Sequence, residues 1–208
     1  MRSEQSEDPL NQKAQLRKNY RQKLQNFLNE KQIFETAHIN LNQHLELFLK
    51  AQKGLWAAFF PLSDEPQFIE TLKKNPQIQW AFPKIENDIL HFYIHPQDSS
   101  QGFLQNNSQL IQNQWGIWEP CAKMNHKISL TQLSGVLIPG LAFDLKGGRL
   151  GKGKGFYDKT FDLQADPLLQ QIQKIGLCFE IQISKEKLLP MESHDLKMHH
   201  IISENGFY

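Results

Sequence analysis

The sequence predicts an α/β fold, a single domain of three layers with a largely parallel (mixed) central sheet flanked by helices. Three observations carry this. The short apolar runs "LWAAFF" (55–60), "GVLIP" (135–139) and "KIGLCFE" (174–180) have the length and uniformity of strands buried on both faces. Helical patterns separate them, and strands alternating with helices favour a parallel sheet. No Pro/Gly/Ser-rich linker divides the 208 residues, so one domain spanning 1–208 is expected.

Taken in order, the first helix opens with Asp8 as N-cap and Pro9 at the first helical position. At about 100° per residue, Leu10, Leu16, Tyr20, Leu24, Phe27 and Leu28 form one stripe. Lys13 and Arg17, spaced i and i+4, fall inside that stripe. Either their stems cover the core edge while their heads reach water, or both cations point into a cleft. A second helix is expected over 35–51, with Ile39, Leu41, Leu45, Phe48 and Leu49 buried and Gly54 ending it.

After the 55–60 strand, "EPQFIETLKKNP" reads as a helix between two prolines. "IQWAFP" and "ILHFYI" read as strands around the turn signal "IEND". The polar stretch 95–110 is expected to form a long loop or lid. A helix is expected from Lys154 through Phe161, another at "PLLQQIQ", and a last short strand at "HHIISE".

Composition narrows the function. Lys plus Arg number 23 against 22 Asp plus Glu, a net charge of +1 that opposes a nucleic-acid binder. Cys121 and Cys178 have no CxxC partner, which argues against a disulfide scaffold or a zinc cluster. The first twelve residues lack the apolar core of a signal peptide, and no apolar run reaches the roughly 20 residues of a membrane span. A soluble cytoplasmic protein is expected.

The segment "GLAFDLKGGRLGKGKGFYDK", residues 140–159, carries six glycines and five cations directly after a predicted strand. In an open α/β sheet, the loop at a strand's carboxyl end is where ligands bind. Glycine admits an anion close to backbone N–H groups, and Lys146, Arg149, Lys152, Lys154 and Lys159 add charge suited to a polyphosphate. A solvated basic turn is the plainer alternative. Gly148, Gly153 and Lys154 meet the GxxxxGK phosphate pattern, but Gly155 stands where a Ser or Thr would bind magnesium. A metal would then need another ligand, and Asp158 is the nearest carboxylate.

The stretch "LIPGLAFDLKGGRLGKGKGFYD" closely resembles the signature of the 5-formyltetrahydrofolate cyclo-ligase family, also called 5,10-methenyltetrahydrofolate synthetases. The likeness extends to Lys13 and Arg17, "FFPLSDE" (59–65), "WGIWEP" (115–120), "IGLCFEIQ" (175–182) and "LLPMESHDLKMHHIISENG" (188–206). It implies an enzyme that uses ATP and Mg²⁺ to convert 5-formyltetrahydrofolate into 5,10-methenyltetrahydrofolate, acting as a monomer without nucleic-acid or membrane partners.

Residue by residue, the resemblance assigns ATP contacts to Lys13, Arg17, Arg149, Leu150, Gly151, Lys152, Gly153, Lys154, Gly155, Phe156 and Tyr157. Arg149 and Lys154 become the catalytic cations, and Asp158 and Asp195 the magnesium carboxylates. Phe60 and Glu65, with Lys152, Gly153, Lys154, Gly155 and Phe156, fall on the folate. Asp158 could instead pair with Lys154, Asp195 could cap a turn, and Asp144 could act directly or brace the loop. Phe156 departs from a family Tyr, and Lys152 from a frequent Tyr or Arg. A non-catalytic folate or nucleotide sensor on the same fold is the alternative. No zinc site is expected from His194, His199 and His200.

Overall fold

The computed structural model describes residues 9–95, 110–114, 116–123, 125–162 and 166–208. Asp8 and residues 96–109 of the expected lid lie outside the described residues. In chain order the elements are α1 (Pro9–Asn29), α2 (Lys31–Leu49), β1 (Gly54–Ala57), α3 (Ile69–Lys73), β2 (Ile78–Glu86) and β3 (Ile89–Ile94). They continue as β4 (Leu110–Gln112), β5 (Trp118–Pro120), β6 (Gly135–Ile138), β7 (Ala142–Asp144), β8 (Arg149–Leu150) and α4 (Phe156–Thr160). The chain finishes with β9 (Gln173–Leu177), β10 (Ile183–Ser184), β11 (His200–Ser203) and β12 (Gly206–Phe207).

Seven strands form the central sheet in the order β12-β11-β9-β6-β1-β2-β3. The five inner strands run parallel, and β3 and β12 pair antiparallel at the two edges. Along each inner strand the pleat sends alternate side chains to opposite faces. Trp56, Trp80, Phe82, Leu137, Ile175, Leu177 and Ile202 pack with residues of α1, α2 and α3 in one core. Ala57, Ala81, Val136, Ile138 and Ile201 face the other way, onto Phe143 of β7, Phe161 just after α4, and Leu169. The mixed, mostly parallel sheet is the one expected. The long helices gather on one face, and short elements cover the second.

Several boundaries differ from expectation for identifiable reasons. In α2 the buried ladder is Ala37, Leu41, Leu45 and Leu49. Ile39 lies about 200° around the helix from Leu41 and is 60% exposed, not buried. The helix ends at Leu49, and Gly54 opens β1 instead of terminating α2. Only Ile69–Lys73 of the "EPQFIETLKKNP" stretch is α-helical, and "PLLQQIQ" yields a 3₁₀ segment, Pro167–Gln171. At the β2–β3 hairpin, Asn87 and Asp88 both take positive φ (53° and 61°), the geometry of a two-residue I′ turn.

The glycine-rich segment also departs from a plain loop-to-helix reading. It first folds back as the antiparallel β7–β8 hairpin, and β7 pairs with β10 in a separate three-stranded sheet. Asp144 closes the turn. Its Oδ1 accepts the N–H groups of Lys146 (2.8 Å) and Gly148 (2.9 Å), and its Oδ2 accepts that of Leu189 (2.8 Å). Asp144 is 2% exposed and has the bracing role. A Cβ on Gly148 would sit 2.3 Å from Asp144 Oδ2, and one on Gly147 (φ +81°) 2.3 Å from the Met198 carbonyl oxygen. Among the described residues, no helix is long and apolar enough to cross a membrane.

Candidate active site

A cleft of about 580 Å³ opens where the parallel strands end at their carboxyl edge. Phe59 and Phe60, just after β1, and Pro139 and Gly140, just after β6, line its floor. The 149–159 segment forms one wall, and Glu192, His194 and Asp195 close the far side.

Helix α1 reaches this cleft through its apolar face. Tyr20 and Leu16 pack on Ala142, Leu150 and Leu189, which docks the helix against the hairpin. Residues four apart on that helix then meet the glycine loop in succession. Lys13 points to the far wall, Arg17 donates from Nε to the Gly151 carbonyl (3.1 Å), and Arg21 donates from Nη2 to the Lys152 carbonyl (3.2 Å). Lys13 is 5% exposed, so its head does not snorkel to water.

Three sets of ion pairs organise the charge. Lys13 Nζ lies 2.7 Å from Glu192 Oε2 and 2.5 Å from Asp195 Oδ2. Burial pulls the Lys13 pKa down, but hydrogen bonds to Asp195 and Glu192 outweigh it and hold it above the ordinary value. Arg149 Nη2 reaches both oxygens of Asp158, at 2.9 and 3.0 Å, while Nη1 donates to the Pro139 carbonyl at 3.2 Å. Burial pushes the Asp158 carboxyl up, yet the Arg149 charge and the Leu196 N–H prevail and keep it below the usual range. Lys152 Nζ pairs with Glu65 Oε1 (2.9 Å) and with Asp64 Oδ1 and Oδ2 (2.9 and 3.1 Å).

Two groups remain open. Arg149 Nε is buried and has no hydrogen-bond partner among the described residues. Lys154 is exposed on the cleft wall and joins no ion pair with a described residue. Beside them, the Tyr157 ring lies 5.5 Å from the Arg149 guanidinium carbon. Burial and the Glu65 charge push its phenol pKa up against the opposing Arg149, so it stays protonated at neutral pH.

All fifteen residues to which the resemblance assigns a site role line this cleft: Lys13, Arg17, Phe60, Glu65, the ten residues 149–158, and Asp195; Lys146, counted among the loop's phosphate-suited cations, and Asp144 do not. Asp158 pairs with Arg149, not with Lys154. Asp195 does cap a turn, accepting the Glu192 N–H at 2.7 Å, while also receiving Lys13. Glu192 and Asp64 were not singled out, since each is one carboxylate in a polar stretch. The cue for Glu192 is its i, i+3 spacing to Asp195 across that turn.

His194 joins Glu192 and Asp195 in a group whose ligand atoms lie within 4.8 Å of one another. His199 is structural: its Nδ1 accepts the Lys174 N–H at 3.0 Å. Among the described residues, six cations in the lining (Lys13, Arg17, Arg149, Lys152, Lys154, Lys159) face six carboxylates (Glu65, Glu119, Asp158, Asp162, Glu192, Asp195).

Comparison with known proteins agrees with the geometry. The chain is 34% identical over 116 residues to a probable 5-formyltetrahydrofolate cyclo-ligase of Schizosaccharomyces pombe, covering 52% of this chain and 56% of that one. It is 36% identical over 91 residues to the 5-formyltetrahydrofolate cyclo-ligase of Haemophilus influenzae, covering 44% and 46%. These alignments span about half the length of each curated relative. The solved structure of a 5,10-methenyltetrahydrofolate synthetase from Mycoplasma pneumoniae superposes with a TM-score of 0.65 at 26% identity, over 92% of this chain and 98% of that one. The model of the 5-formyltetrahydrofolate cyclo-ligase family matches residues 9–204, so the chain belongs to that family.

Proposed function

We propose that this protein converts 5-formyltetrahydrofolate and ATP into 5,10-methenyltetrahydrofolate, ADP and phosphate. It would do so as a single-domain cytoplasmic monomer. The observation that carries the reading is convergence: residues from 13 to 195, including every position to which the resemblance assigns an ATP, folate or magnesium role, line one cleft. Among the described residues the cleft offers no nucleophile–base pair. The reaction would instead proceed between its substrates, with the protein supplying position and charge.

In this reading the formyl oxygen attacks the γ-phosphorus of ATP, and ADP leaves. N10 of the folate then adds to the activated formyl carbon and loses its proton to the departing phosphate, which carries away the former formyl oxygen as the C–O bond breaks. The cations serve the first step. Lys154 joins no ion pair with a described residue, and Arg149, fixed through its Nη atoms, sets a buried positive charge beside the cleft. Arg17 and Arg21 hold the carbonyls of Gly151 and Lys152, which would orient the loop's N–H groups, and Arg17, itself on the cleft lining, would also contact the nucleotide. Phe60, stacked on Phe82 at 4.2 Å between ring centroids, offers a fixed apolar face to the folate ring system, and Glu65 offers acceptor oxygens to its N–H donors.

The donor chemistry fits a magnesium ion. Asp158 and Asp195 present hard oxygen ligands on the cleft, with Glu192 adjacent, and among the described residues Asp195 Oδ1 accepts no hydrogen bond. When bound, Mg²⁺ would be held by Asp158 and Asp195 and would supply neutralisation of phosphate charge.

The test is direct. Purified protein mixed with 5-formyltetrahydrofolate, ATP and Mg²⁺ should generate the absorbance of the methenyl product. Silence at saturating substrate concentrations would reject the ligase and leave a folate or nucleotide sensor as the surviving reading.

A further inference from the structure

We propose that Lys152 is a positioning residue for folate rather than a phosphate ligand: its ammonium aims the Glu65 carboxylate into the cleft and fastens it to the glycine loop. The inference rests on the reading of the cleft given above and deepens it.

The first ground is saturation. An ammonium has three donors, and Lys152 Nζ meets three acceptors at hydrogen-bond distance: Glu65 Oε1 at 2.9 Å and both oxygens of Asp64 at 2.9 and 3.1 Å. A phosphate oxygen could enter only by displacing one of them. Lys154, two residues on, has no such engagement and is the cation free to take an anion. Two lysines of the same loop therefore do different work.

The second ground is the environment of Glu65. The residue is 7% exposed, and a buried carboxylate requires partners to remain charged. Its Oε2 accepts the Leu62 N–H at 2.9 Å, and its Oε1 receives Lys152. One fixed partner per oxygen locks the rotation of the carboxylate and leaves a second acceptor direction on each oxygen. Paired N–H donors on one edge of a ring are the chemistry that such a carboxylate recognises.

The third ground is the anchorage of Lys152 itself. Its carbonyl accepts Arg21 and the preceding Gly151 carbonyl accepts Arg17, so helix α1 fixes the backbone from which the side chain extends. Asp64, adjacent to Glu65 in sequence, holds the ammonium from the solvent side. Helix, loop and the 62–65 turn thus form one linked frame around the folate carboxylate. Burial lowers the Lys152 pKa, but the Glu65 and Asp64 charges outweigh it, which keeps the ammonium protonated.

Lys152→Met removes the charge and keeps much of the stem. It should raise KM for 5-formyltetrahydrofolate about 10- to 100-fold, the range for one charge-assisted hydrogen bond. KM for ATP should stay within about threefold. Lys152→Arg, which retains a cation of similar reach, should restore most of the folate affinity. Asp64→Asn should weaken folate binding by a smaller factor, and it supplies a second test should Lys152→Met fold poorly.

A Lys152→Met enzyme with a raised ATP KM and an unchanged folate KM would overturn the proposal, as would one with both unchanged. The same variants should be titrated with 5-formyltetrahydrofolate in the absence of ATP. If the wild type binds folate but makes no product, the ligase reading fails while positioning is still decided by the binding series. A wild type that binds no folate overturns both.

Discussion

Arg149 sets a single guanidinium nitrogen 2.9 and 3.0 Å from the two oxygens of Asp158, with only 5% and 19% of the two side chains exposed. Removing one member of such a pair leaves the other buried and uncompensated. Arg149→Met should therefore lower unfolding free energy by about 2–4 kcal/mol in denaturant titration. Arg149→Met/Asp158→Leu should recover part of that loss while remaining inactive. Additive losses in the double variant would mean that the two side chains act independently.

The same pair sets an acid limit on stability. A carboxyl held below its ordinary value stabilises the fold fully above that value, about pH 4, and the contribution disappears as pH falls through the folded pKa. Lys13 has the opposite sign. Its pKa is held above 10.5, so its contribution is complete below that pH and is lost as pH rises through the folded value. Asp158→Asn should flatten the acid arm of the stability curve, and Lys13→Met the alkaline arm. Unfolding free energies measured across both ranges would show arms unchanged by these substitutions if the pairs did not matter.

Lys154 separates catalysis from stability. Because it is exposed and joins no ion pair with a described residue, Lys154→Ala should move unfolding free energy by no more than about 0.5 kcal/mol. Turnover should fall by about 10²–10³, the scale for losing one transition-state charge contact. Normal turnover in a stably folded Lys154→Ala protein would remove this lysine from the site.

Gly148→Ala probes the hairpin. The added methyl would meet Asp144 Oδ2 at 2.3 Å and force apart a carboxylate that serves three backbone N–H groups. A loss of about 1–3 kcal/mol is expected, the scale of local overpacking. A thermal melt indistinguishable from wild type would show that the turn yields at no cost.

Much of this was legible because helices and buried strands announce themselves by period and length. The placement of Lys13 and Arg17 inside an apolar stripe leaves a cleft as one of two readings, the one the family resemblance favours, and Lys13 is buried among carboxylates. The β7–β8 hairpin was not legible. Its strands have three and two residues and exist through tertiary pairing with β10 and through Asp144, while their glycines read locally as a loop. Ile39 was misplaced because hydrophobicity outweighed its angle on the helix. Glu192 escaped notice because its partner, Lys13, lies 179 residues away.

Six cations facing six carboxylates make the cleft almost neutral from a distance. A triphosphate approaching through solvent would meet little attractive field, so its association rate should change little with ionic strength. Recognition in the proposed reading would begin after contact, with Lys154 open to the anion while Lys13, Arg149 and Lys152 already hold carboxylates. At those three cations the surface discriminates by what can replace an existing partner, and a lone anion without a compensating cation is poorly equipped to do so.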